Sequence, residues 1–256
     1  MHERLKIISL KINSISFDES IQRVLQWGMT YTPSFVCFAN VHMVIEAYWE
    51  NLFLDKLNKA TLILADGKPV ATACKWLYGK KQERIAGMDF MLRILEESNN
   101  KSIKIFLYGS TEEVLNELQR KIKTTYPFVK IVGALSPPFR ALSKEEEQKY
   151  IDDINTSEAN IVMVSLGCPK QEKWMAENYQ LINAVLLGIG GAFAVTAVLQ
   201  KRSPFWMQKA GLEWLYRLGL EPKRLFKRYF VTNSLFIFLL IKTIITHSFS
   251  KKNKSQ

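Results

Sequence analysis

Six short, nearly unbroken apolar runs, at residues 35–40, 61–66, 103–108, 129–133, 161–167 and 184–190, stop at or beside Gly, Asp or Asn and give way to helical patterns. Runs without polar alternation belong to strands covered on both faces, the arrangement of a parallel sheet. The stretches 41–57, 88–97, 111–123, 144–154 and 171–177 have amphipathic spacing, and several carry start signals. Ser110 or Thr111 is placed to cap one helix, and Ser143 followed by Glu145, Glu146 and Glu147 puts acid on the first turn of another. This repeated β-α order predicts an α/β fold: a Rossmann-like, mostly parallel sheet with helices on both faces, and ligands at the carboxyl ends of the strands. Residues 5–15 fit an extra strand or hairpin. Beyond Gly191 the pattern turns helical, over 193–200, 204–218 and 222 to about 245, with Pro204 and Pro222 suited to first-turn positions.

Charge divides the chain. Residues 201–256 hold twelve Lys or Arg against Glu213 and Glu221, which is +10 of a whole-chain +11, so the first 200 residues are nearly neutral. The same end carries Trp206, Trp214, Tyr216, Phe226, Tyr229 and Phe230 and an apolar run at 235–241. That mixture suits a lipid surface with phosphate headgroups. Its longest greasy run, 234–245, is interrupted by Lys242 and is shorter than the ~20 residues a crossing helix needs. It is expected to lie along a membrane or against another helix. No signal peptide or anchor is read in residues 1–10. Cys37, Cys74 and Cys168, scattered and without CxxC spacing, suit a reducing cytosol and neither a zinc site nor a disulfide framework.

The strand ends hold the chemistry. Asp66 closes the 61–66 run before Gly67, a position suited to a general base and equally to a capping or bracing Asp. Asn40 either binds an amide, hydroxyl or nucleobase or caps the next helix, and His42 fits a packed or capping histidine better than a base. Gly87, Met88 and Asp89 open a helix just after Arg84, where exposed N–H groups and a guanidinium favour a diphosphate. Gly109, with Tyr108 and Ser110, forms a second such turn, but the spacing is not that of a dinucleotide fingerprint. In the segment 165–174, Gln171 offers donor and acceptor together and Glu172 accepts from hydroxyls, unless both simply start a helix. Cys168 has no neighbouring group to activate it as a nucleophile. Gly188, Gly190 and Gly191 make a turn that lets backbone approach a phosphate or lets a helix pack tightly. No Asp-x-Asp occurs, and no metal site is expected.

Taken in order, Ala65-Asp66-Gly67, Gly87-Met88-Asp89, the segment 167–172, the 188–191 turn, the Lys201-Arg202-Ser203-Pro204 group with Trp206-Met207, and the tail 212–217, 221–222 and 228–229 resemble the WecG/TagA/CpsF family of bacterial glycosyltransferases over nearly the whole chain. The resemblance implies an inverting transferase that moves a sugar from a UDP-sugar to a saccharide on a polyprenyl-diphosphate carrier, peripheral on the cytoplasmic membrane surface. It implies a base at Asp66, a donor or catalytic pocket around Asn40, Arg84 and Gln171, and lipid-diphosphate binding by Arg217, Arg224 and Arg228 on a mobile appendage. The domains expected are 1–200 for nucleotide-sugar chemistry, 201–250 for a basic amphipathic appendage and 251–256 for a disordered tail. Where the family often has Phe-Asp-Phe after its glycine turn, this chain has Phe193-Ala194-Val195, and Cys37-Phe38-Ala39 precedes Asn40 where a Thr is common. Both differences bear on which sugars are handled.

Two rivals stand beside this reading. A nucleic-acid-binding module would use the basic aromatic tail, but Leu225, Val231, Leu235, Phe236 and Phe238 interleave more apolar surface than base stacking needs. An oxidoreductase or methyltransferase on a similar sheet is weakened, for the first, by the missing fingerprint. Homo-oligomers that bury the apolar C-terminal face are expected in the absence of lipid.

Overall fold

The computed structural model describes the backbone of residues 3–252 and the side chains of residues 3–247. An antiparallel hairpin of β1 (Arg4–Ile7) and β2 (Leu10–Asn13) leads into α1 (Phe17–Met29), β3 (Ser34–Ala39), α2 (Val41–Trp49), α3 (Asn51–Asn58), β4 (Leu62–Ala65), α4 (Lys68–Tyr78) and α5 (Gly87–Asn99). There follow β5 (Lys104–Gly109), α6 (Glu112–Thr125), β6 (Lys130–Leu135), α7 (Lys144–Thr156), β7 (Ile161–Ser165), α8 (Lys170–Asn178) and β8 (Val185–Gly188). The chain ends in helices α9 (Ala192–Thr196), α10 (Phe205–Ala210), α11 (Glu213–Leu220) and α12 (Pro222–Lys252).

Strands β3 to β8 form one parallel sheet in the order β4-β3-β8-β7-β5-β6. The six apolar runs of the sequence correspond to these six strands. Their side chains alternate between two cores: Phe35, Cys37, Ala39, Ile63 and Ala65 face one side, Val36, Phe38, Leu62 and Leu64 the other. The first core is closed by α2, α3, α4, α7, α8 and α12, the second by α1, α5, α6 and α9. Apart from the partly exposed edge strand β6, the strands are covered on both faces, which is why they need no polar alternation.

Three helices depart from the sequence expectation. The 41–57 stretch breaks at Glu50, which is extended at φ −121° and ψ 102° and takes Lys173 Nζ at 2.8 Å on its carboxylate. The bend lets α3 bury Phe53 and Leu57 next to α8. The 204–218 stretch breaks at Gly211, whose φ of +78° ends α10 in the left-handed region that glycine reaches most readily. The 193–200 stretch shrinks to the five residues of α9. Helix α1 was not anticipated. Its start signal was nevertheless present, because Ser16 accepts from the Glu19 N–H at 3.2 Å.

Helix α12 carries Leu225, Thr232, Phe236, Leu239 and Leu240 buried toward α2 and α4. By length and composition, Pro222–His247, whose most apolar 18-residue stretch has mean hydropathy 1.7, would suffice to cross a membrane, more than the 234–245 run alone indicates. Instead it lies along the domain, as expected of a helix with a helical partner. Its outer face still exposes Phe226, Phe230, Val231, Ile237, Phe238, Ile241 and Ile245. The expected disordered tail lies outside the described residues from 253 onward, and Lys251 and Lys252 end α12.

Candidate active site

The loops after the strands put the singled-out residues along one edge of the sheet. Asp66 and Asn40 follow register partners, Ala65 on β4 and Ala39 on β3, and the Asp66 N–H donates to Ala39 O at 2.9 Å. The two side chains therefore leave neighbouring strand ends about 4.8 Å apart. Asn40 Oδ1 caps α2 by accepting from the Met43 N–H at 3.1 Å, and its amide nitrogen has no protein partner among the described residues. Arg84 joins them because the Ile85 N–H donates to Ala65 O at 2.8 Å, which extends the edge of β4 by one more segment. Gly87 then starts α5 against Phe38 and Ile189, across the ends of β3 and β8.

The Asp66 carboxyl makes no hydrogen bond to protein among the described residues. Burial is the main reason its carboxyl is pushed up to about 7. Arg217 and Arg84 pull it down, and Glu213 and Asp89 push it up. Such a group gives up and takes a proton near neutrality, the property a general base needs. The same shift has a stability consequence. A carboxyl raised in the folded state binds its proton more tightly than in the unfolded chain. Its stabilising contribution is present below about pH 4 and is lost as pH rises to about 7. Glu172, raised by burial to about 7, adds in the same direction.

Around Asp66, residues distant in sequence are joined by charge. Arg84 Nη2 donates to Asp89 Oδ2 at 2.9 Å, and its Nη1 donates to Glu213 on α11. Asp89 also receives Arg202 from the connection before α10. Lys68 Nζ donates to Lys209 O at 2.9 Å, and a side chain at Gly211 would meet Lys68 Cβ at 2.8 Å, so α10 and α11 sit directly over the β4 end. Nothing in the spacing of Arg202 and Glu213 pointed to these contacts. Arg202 stood only as a letter in a family signature.

Gln171 and Glu172 are turned inward. Gln171 Oε1 accepts from the Gly167 N–H at 3.1 Å, and its Nε2 donates to Glu172 Oε1 at 2.7 Å and to Gly188 O at 2.8 Å. Both amide hydrogens are used, so Gln171 braces the β7 and β8 turns to one another. Glu172 is fully buried beneath it, with Oε2 unpartnered. Burial holds the Cys168 and Cys37 thiols well above their usual range, and neither is a thiolate at neutral pH.

The glycine turns serve close approach. A Cβ on Gly109, at φ +105°, would stand 2.5 Å from Ser165 O, so only glycine lets β5 end beside β7. A Cβ on Gly188 would stand 2.6 Å from Met175 Cε, whereas one on Gly191 would face open space. Gly190, at φ +54°, accepts from Ser165 Oγ at 2.7 Å. The connection after β7 leads toward β8 and that after β5 toward β6, in opposite directions across the sheet. Open parallel sheets take ligands where the connections diverge in this way, here at the Gly109 and Gly167 turns. From Gly109 to Asp66 the edge spans four strand spacings, about 19 Å, and from Gly167 three, about 14 Å.

The three arginines of the C-terminal helices differ in setting. Arg217 on α11 acts on Asp66 by charge and is otherwise exposed. Arg224 is exposed and pairs with Glu221. Arg228 is half-buried beside His42 and Glu46, with its Nε buried and unpartnered. Burial and that guanidinium push His42 down to about 4, so its ring is neutral at pH 7. Among the described residues no three His, Cys, Asp or Glu side chains stand close enough to hold a metal ion.

Comparison with known proteins adds a further finding. The family described as glycosyl transferase, WecG/TagA/CpsF family, matches residues 5–250. The N-acetylglucosaminyldiphosphoundecaprenol N-acetyl-beta-D-mannosaminyltransferase of Bacillus subtilis is 34% identical over 187 residues, 72% of this chain and 71% of that protein. The protein of the same name from Staphylococcus aureus is 30% identical over 192 residues, 75% of this chain and 74% of that one.

Proposed function

Because the chain belongs to the glycosyl transferase WecG/TagA/CpsF family, we propose that it is an inverting, UDP-sugar-dependent glycosyltransferase acting on a polyprenyl-diphosphate-linked saccharide. The sugar moved is N-acetylmannosamine, the one in the names of the two relatives, or its uronic acid or a related hexose. The product serves cell-surface polysaccharide or teichoic acid synthesis. The observation that carries the reading is Asp66, a proton acceptor tuned to about 7 beside Arg84 at the end of a buried strand.

On this reading the uridine end of the donor sits where the β5 and β7 connections diverge, and its diphosphate runs along the sheet edge past the glycine turn of β8. The span of about 14–19 Å suits an extended sugar nucleotide. The acceptor hydroxyl attacks the anomeric carbon as the bond to the diphosphate oxygen breaks. Its proton passes to Asp66, and the leaving electron pair is taken up by UDP, whose growing charge meets Arg84 and the N–H groups opening α5. Gln171 acts indirectly, by holding the Gly167 and Gly188 turns in place.

The acceptor's carrier lies on the cytoplasmic face of the membrane, where the exposed apolar side of α12 enters the lipid boundary and Lys223, Arg224 and Lys227 meet its phosphates. Replacing Arg224 and Arg228 together by Ala is expected to raise KM for the lipid-linked acceptor about tenfold or more, given the strength of guanidinium–phosphate bonds. Equal damage with a soluble acceptor lacking diphosphate would contradict that assignment.

The base must be ionised to work, so kcat/KM should fall about tenfold per pH unit below about 7 and level off above it. A flat profile between pH 5 and 8 would remove Asp66 from the role. The function itself is tested by offering UDP-, GDP- and CMP-sugars with a synthetic prenyl-diphosphate N-acetylglucosamine and following product by mass spectrometry. Transfer from a UDP-sugar alone supports the proposal, and transfer only from another nucleotide sugar overturns it.

A further inference from the structure

The contacts around Arg84 contain an imbalance that the donor's chemistry would resolve. Two guanidinium groups, Arg84 from the body and Arg202 from the connection before α10, converge on one carboxylate, Asp89. Asp89 is an anion and cannot itself bind a diphosphate, but it sets the two cations side by side and leaves their other N–H groups free to point elsewhere. Arg84 spends that spare edge on Glu213. Arg202 spends it on nothing: its Nε is buried and has no partner. All four side chains are more than half-buried, with 20–33% of their surface exposed, so the charges interact with little screening from water.

Glu213 is the odd member. It brings a third negative charge, after Asp66 and Asp89, into a place where three arginines, Arg84, Arg202 and Arg217, already balance a further two charges of an incoming diphosphate poorly. With Glu213 in place, carboxylates and guanidinium groups are equal in number. With Glu213 gone, a cationic seat remains. We propose that Arg84 and Arg202, bridged by Asp89, form a two-arginine seat for a nucleoside diphosphate, and that the Glu213 carboxylate occupies this seat until the ligand displaces it.

This rests on the reading of the site as one for a diphosphate donor and adds two residues to it. Arg202 binds ligand, and Glu213 is a competitor built into the chain. Because Glu213 opens α11, its displacement also releases the segment that carries Arg217 over Asp66. Donor entry and rearrangement of α10 and α11 are then one event, driven by exchange of a carboxylate for a diphosphate of higher charge. Lys68, bonded to Lys209 O, remains as the second tie between α10 and the body.

The full-length protein is titrated calorimetrically with UDP and, separately, with inorganic pyrophosphate, as wild type, E213Q, R202A and R202K. Glu213→Gln keeps the shape and removes the competing charge, and it should bind UDP about fivefold or more tightly than wild type, the size of a partly exposed ion pair. Arg202→Ala should weaken UDP about tenfold, with Arg202→Lys between it and wild type. Damage to folding lowers affinity, so tightening in E213Q has no such origin. Unchanged or weaker UDP binding in E213Q, or undiminished binding in R202A, overturns the inference. If wild type binds pyrophosphate with this ranking of variants but ignores UDP, the seat stands and the uridine reading falls.

Discussion

Asp66→Asn is expected to lower kcat by ~100-fold or more, with the affinity for the UDP donor changed by no more than about twofold. The magnitude is that of a lost general base, and the separation of the two effects follows from where Asp66 sits. Its side chain bonds to no described protein group, so the amide leaves no broken network behind, and its backbone N–H still donates to Ala39 O. The diphosphate seat, in contrast, is built from Arg84 and its neighbours. The variant should also be more stable than wild type above pH 7. There the native protein must ionise a carboxyl raised to about 7, while the amide carries no charge. Activity within about threefold of wild type would remove the proton-transfer role, and a melting temperature lowered at pH 8 would contradict the account of its burial.

Arg84→Ala should cost ~100-fold or more in kcat, in line with removal of a donor aimed at developing negative charge, and should weaken the donor as well. The two effects arise together because the same guanidinium meets the diphosphate before and after the bond to the anomeric carbon breaks. Arg84 is also structural, through Asp89 and Glu213, so its loss alone does not separate chemistry from scaffolding. A donor with a better leaving group separates them: the defect should shrink with a less basic leaving group if Arg84 stabilises the departing charge. A defect that is the same for every leaving group would make Arg84 a positioning residue only.

The parallel sheet was legible because five of its six strands, all but the edge strand β6, are buried on both faces, and burial writes itself as unbroken apolar runs such as those ending at Ala39 and Ala65. The placement of Asn40 and Asp66 just beyond β3 and β4 was legible for the same reason, because each follows directly on a buried run. Side-chain direction was not. Gln171 and Glu172 read as ligand-facing from their place after a glycine turn, yet they point into the core and brace Gly167 and Gly188. The break at Glu50 was hidden because apolar spacing continues across it on both sides. The meeting of Arg202 and Glu213 with Asp89 and Arg84 was illegible for a different reason. These partners lie 113 and 129 residues apart, and only the folding of α10 and α11 back over β4 brings them together.

The account places proton transfer from the acceptor at Asp66, and a crystal structure of the protein with UDP and a short-chain prenyl-diphosphate saccharide tests this most directly. The acceptor's attacking hydroxyl should lie within about 3.2 Å of the Asp66 carboxyl, with the β-phosphate of UDP against Arg84. A hydroxyl held more than about 6 Å from Asp66, with another side chain in contact, would contradict it.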